Sequence, residues 1–121
     1  MVREMTVQEF YTEVDGNYDE IMARLKTDAR VIKFAGMFAK DDSYNALVRT
    51  MQEGNLDDAF RAAHTMKGVC QNMAFTRLFR SSNDITEALR VKDIDRANML
   101  LEQVTSDYQR VMDGIKKLVE S

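Results

Sequence analysis

The chain has no proline, no tryptophan, five glycines, one cysteine and one histidine. Each scarcity excludes something. Without proline, nothing forces a break inside a long helix. A single cysteine, Cys70, makes no internal disulfide, so nothing asks for an oxidising compartment. One histidine and one cysteine, six residues apart, fall short of the four ligands of a structural zinc site, and no metal is expected. No apolar run approaches the ~20 residues of a membrane-spanning helix. At the N-terminus, Arg3, Glu4, Gln8 and Glu9 stand where a secretory leader would carry its apolar core. Lysines and arginines number 17 against 20 acids, and the two signs are interspersed. The concentrated basic patch that nucleic acid requires is missing. These exclusions leave a cytoplasmic protein with no membrane or nucleic-acid partner as the expectation.

What is present favours helix. Ala, Leu, Met, Glu, Lys, Arg and Gln dominate. At 121 residues the chain reads as one domain, 1–121. A chain of that size hides roughly two-thirds of its unfolded surface. Thr6 with Glu9 three residues on forms a capping box, followed by a short helix that stops near Asp15-Gly16. Asn17 with Glu20 starts a second short helix. The next segment carries Val31, Phe34, Ala35 and Phe38 at helical spacing. Its phase slips between Asp41 and Ser43, which predicts a break or kink before the stripe resumes at Tyr44, Leu47, Val48 and Met51. Asn55 caps a helix that buries Leu56, Ala59, Ala63, Met66, Cys70 and Met73. Another begins around Phe75-Thr76, and Asp93 caps the last. In that last helix Ile94, Ala97, Leu101, Val104, Tyr108, Val111, Ile115 and Leu118 repeat at 3-4 spacing, with Gly114 a local weak point. The fold class predicted is all-α: an antiparallel four-helix bundle over about 28–119, with one or two short helices over about 7–25. A dimeric coiled coil competes for the heptad stripe. With three other amphipathic helices in the chain, packing within a monomer is the expectation.

The sole histidine sits in Ala62-Ala63-His64-Thr65-Met66-Lys67-Gly68-Val69. Taking Ala63 as the centre of the apolar stripe, His64 lies about 100° round the helix. Phe60, Lys67, Gly68 and Gln71 share that flank. An imidazole nitrogen is a nucleophile, and a neighbouring ammonium favours its neutral form. The same ammonium stabilises charge on phosphoryl oxygens. A glycine one turn on leaves room for an incoming group, at about 1 kcal/mol of helix stability. A tolerated surface histidine and a glycine that admits a packed neighbour explain the same three residues. By themselves they do not decide.

The stretch Ala62 to Phe75, A-A-H-T-M-K-G-V-C-Q-N-M-A-F, resembles the A-x-H-x-L-K-G-x-x-x-N-x-G-x pattern of the histidine-containing phosphotransfer (HPt) domain family. Outside it, Asp19-Glu20-Ile21, Phe34 to Phe38, Leu47 to Phe60 and Leu78 through Arg90 resemble the compact stand-alone members. The resemblance implies a phosphorelay intermediate that is not an enzyme in its own right and has no kinase activity. His64 would take a phosphoryl group from a receiver-domain aspartate and pass it to another receiver. Lys67 would stabilise the group and Gly68 would leave space for it. The implied partners are a response-regulator receiver domain or a hybrid histidine kinase. No cofactor is implied for this chain, since magnesium belongs to the receiver.

The chain departs from the family pattern in two places. Ala74 stands where the family usually has glycine, and a small residue should preserve the turn. The family often places glutamate or glutamine opposite the histidine, twenty-two residues after it. Here that position is Thr86, and Gln71 is a substitute candidate for orienting His64. Phe60, with Phe10, Tyr11 or Val14 of the first helix, forms a candidate docking surface. The competing account has that first helix simply covering the bundle. A helical adaptor that binds a receiver or kinase without carrying phosphate is the alternative function. Cys70 and most of the nine methionines read as core.

Overall fold

The structure, a computed structural model, describes residues 5–120; Arg3 and Glu4 of the leader argument, and the outer limits of the expected 1–121 domain, lie outside the described residues. Seven helices and no strand are present among the described residues: α1 (Val7–Glu13), α2 (Tyr18–Leu25), α3 (Asp28–Ala39), α4 (Ser43–Gln52), α5 (Leu56–Asn72), α6 (Thr76–Arg90) and α7 (Ile94–Glu120). None is long and apolar enough to cross a membrane.

The starts follow from side chains that satisfy the free amides of the first turn. Thr6 and Glu9 form the reciprocal capping box, with Glu9 N–H donating to Thr6 Oγ1 at 3.0 Å and Thr6 N–H to Glu9 Oε1 at 3.2 Å. Asn17, Thr27, Asn55 and Asp93 accept from the amides of Glu20, Arg30, Asp58 and Arg96. The predicted break is real: α3 ends at Ala39 and α4 begins at Ser43, whose amide donates to Asp41 Oδ1 at 2.9 Å.

Three-residue turns fold α4, α5, α6 and α7 back on one another, with α5 between α4 and α6, and α6 against α7. The short helices α1 and α2, with α3, close one end of this bundle, α1 and α3 both resting on α7. At that end Phe75, fully buried, is the hub of an aromatic cluster. Its ring lies 5.8 Å from Phe10, 5.7 Å from Tyr11 and 5.1 Å from Phe38. The Tyr11 hydroxyl donates to the Met73 carbonyl at 2.7 Å, and burial holds that phenol well above its ordinary pKa. Ala74 adopts φ +56°, so the turn that glycine usually makes does survive with alanine there.

Gly114 corrects the expectation of a weak point. A Cβ there would fall 2.9 Å from Val14 Cγ1 and 3.0 Å from Phe10 Cε1. The glycine is where α1 seats on α7. The same seating overturns Phe10, Tyr11 and Val14 as docking residues. They are 0%, 1% and 1% exposed, because the apolar side of a seven-residue helix has to be buried for the helix to hold at all. The first helix covers the bundle.

One polar cluster in this core had no sequence signal. Asp107, 3% exposed on the α7 stripe, accepts from Arg77 Nε at 2.8 Å and Gln103 Nε2 at 2.9 Å. Arg77 also reaches Asp15 at 3.7 Å, tying α6, α7 and the α1–α2 turn together.

Candidate functional site

The helix α5 carries the site. Asn55 caps it, and Asp57 and Asp58 stand in its first turn, where the helix dipole favours acids. Its stripe of Ala59, Ala63, Met66 and Cys70 is buried. Its far end is held from outside, since the Arg24 guanidinium donates to the Asn72 carbonyl and adds to the backbone donors that already reach the Gln71 carbonyl. The helix is therefore anchored on one side and at both ends, while the flank bearing His64 is free.

His64 is exposed, and no hydrogen bond reaches its imidazole among the described residues. Lys67 is half-buried one turn on and makes no ion pair among the described residues. The space over Gly68 is open: an added Cβ would meet nothing within 4 Å. This removes the packing explanation for a mid-helix glycine, because no neighbouring helix approaches there. His64, Lys67 and Gly68 thus form a one-turn patch with an exposed nucleophile, a cation and a vacant surface.

The structure does not bring the other predicted supports to the imidazole. Thr86 is fully buried, and its hydroxyl donates to the Ser82 carbonyl at 2.6 Å, the back-bonding habit of threonine inside helices. It makes no hydrogen bond to His64. Gln71 is exposed and seven residues beyond His64, two turns or about 10 Å along the axis. What does meet His64 is Phe60, one turn before it, with ring centroids 6.0 Å apart and planes at 27°. From α6, Arg90 places its guanidinium carbon 4.8 Å from the Phe60 centroid, and Glu87 pairs with Arg90 at 3.1 Å. Arg90 was missed in the sequence. It lies one turn beyond Thr86, so the face of α6 was foreseen but not the residue long enough to cross to α5.

Cys70 is buried against α6, and loss of water pushes its thiol pKa up to about 12. It is a core residue with no thiolate to offer at neutral pH. On another side of α5, an apolar cleft of about 400 Å³ opens among Leu25, Phe34, Met37, Val69 and Met73. Phe34 and Met37 are exposed there.

A family model, described as Hpt domain, matches residues 7–114. Neither the search of curated proteins nor that of solved structures returned a match. The match spans α1 through most of α7, takes in His64, Lys67 and Gly68, and agrees with the all-helical bundle. The chain belongs to the Hpt domain family, whose members carry phosphoryl groups in phosphorelays.

Proposed function

We propose that His64 is the phosphoryl carrier of this protein, between receiver-domain aspartates. One observation carries the assignment: a histidine phosphotransfer domain needs an accessible histidine, and His64 is the only histidine in the sequence and is exposed. An unprotonated imidazole nitrogen attacks the phosphorus of the donor's aspartyl phosphate. The N–P bond forms as the O–P bond breaks, and that electron pair leaves with the donor carboxylate. The second ring nitrogen is free to exchange its proton with water. Transfer to the acceptor aspartate is the same displacement in reverse.

Lys67 supplies positive charge to the phosphoryl oxygens. Gly68 leaves the volume in which the group and the receiver's active site meet. The chain contributes no kinase chemistry and no cofactor, and the magnesium ion is the receiver's. The proposed carrier is cytoplasmic and monomeric.

The test is to incubate the protein with a radiolabelled, phosphorylated receiver domain. Wild type should gain acid-labile label and His64→Gln none. Equal labelling of the two overturns the assignment. Receiver binding that persists in His64→Gln, with no label ever appearing on wild type, would establish the adaptor reading instead. Lys67→Ala should fold normally and transfer more slowly.

A further inference from the structure

We propose that Phe60 is the positioning residue of His64, held in turn by Arg90, so that the imidazole is oriented by ring stacking and not by a hydrogen bond. The inference rests on His64 being the phosphoryl carrier. An exposed histidine in mid-helix has several rotamers and a broad second torsion, and in-line attack on phosphorus requires one ring orientation. No hydrogen bond constrains the ring among the described residues, and Thr86, the residue at the facing position, has its hydroxyl committed to Ser82.

Phe60 is placed to do this. It is four residues before His64 on the same face of α5, half-buried, with its ring 6.0 Å from the imidazole and tilted 27° from it. A lone phenylalanine on a helix flank would itself be free to turn. Arg90 removes that freedom with its guanidinium 4.8 Å from the ring centroid, and Glu87 holds Arg90 by two contacts, at 3.1 and 3.4 Å. The chain Glu87–Arg90–Phe60–His64 therefore runs from α6 to α5 and fixes the imidazole from its N-terminal side. The opposite side, over Gly68, stays open.

The test uses phosphoramidate as donor, which removes docking of a partner protein from the measurement. The P–N bond of phosphoramidate breaks, the N–P bond to His64 forms, and ammonia leaves with the imidazole proton. Wild type, Phe60→Leu, Phe60→Tyr and Arg90→Met are compared after thermal melts confirm that each is folded. His64 ring-proton shifts and their contacts to residue 60 are followed by NMR alongside the labelling rate. Phe60→Leu should lose the ring-current shift of the His64 protons and slow labelling about three- to tenfold, with half-saturation unchanged. Phe60→Tyr should restore both, and Arg90→Met should move both in the same direction by less. A Phe60→Leu protein that labels at the wild-type rate overturns the proposal, whether or not the shifts move. Should wild type itself take no phosphate, the carrier assignment fails, and the shifts still report whether Phe60 orders the ring.

Discussion

The closed end of the bundle and the open flank of α5 use the same residue type for opposite purposes. At the closed end, a Cβ on Gly114 would sit 2.9 Å from Val14 and clash with it, so the absent side chain lets α1 lie flat on α7. On the open flank, Gly68 has nothing within 4 Å, and its missing side chain faces empty space beside His64. One glycine exists because something is there, the other although nothing is. The contrast extends to the aromatics. Phe75 gathers three rings in a sealed cluster, whereas Phe60 stacks on an exposed imidazole under a single guanidinium. Rigidity at one end and access at the flank suit the proposed role of His64, which requires the histidine to hold its place while remaining reachable.

The sharpest way to break the comparison is at Phe75. Phe75→Ala should destabilise the fold by about 3–5 kcal/mol in denaturant unfolding, because it empties a fully buried site shared by Phe10, Tyr11 and Phe38. Less than 1 kcal/mol would mean that the cluster collapses onto the gap and is not the anchor described. Gly114→Ala should cost about 1–3 kcal/mol, as α1 is lifted by its contacts with Val14 and Phe10. Gly68→Ala should do the reverse and raise stability by up to about 1 kcal/mol, since helix propensity improves and nothing is displaced. If labelling of His64 slows in that more stable protein, the glycine is kept for access; a destabilised Gly68→Ala would mean that the flank is packed after all.

A contrast in pH dependence concerns Cys70. In the unfolded chain its thiol loses a proton near the ordinary value, about 8.5, whereas burial in the fold holds it to about 12. Between those values the unfolded state binds fewer protons, so this contribution to stability falls as pH rises. Cys70→Ala lacks it. The loss of stability between pH 8 and pH 10 in urea melts should therefore be smaller in Cys70→Ala than in wild type.

Local signals were readable where the physics is local. The caps at Thr6, Asn17, Asn55 and Asp93, the break at Asp41 to Ser43 and the long stripe of α7 from Ala97 onward depend on residues within one or two turns and were legible, whereas Ile94, read as the first position of that stripe, is exposed. His64 was legible as a flank residue because helix phase alone puts it 100° from the stripe. What failed depended on partners distant in sequence. Phe10, Tyr11 and Val14 could not be distinguished as buried, since an apolar stripe on a short helix has the same pattern whether it meets the bundle or a partner. Asp107 interrupts an apolar face, and only Arg77, thirty residues earlier, makes its burial tolerable.

The sequence by itself determined that this chain is helical, where its helices start and stop, and that one histidine, with a lysine and a glycine beside it, occupies the shoulder of the fifth. Hydrogen bonding and side-chain periodicity within a turn suffice for that. Tertiary structure alone decided which glycine is crowded and which is open, that the face of α6 bearing Thr86 is buried, and that Arg90 reaches across to Phe60 on the histidine's flank. Those outcomes are set by the distance between helix axes, and helix phase in one segment carries no information about how closely another segment approaches.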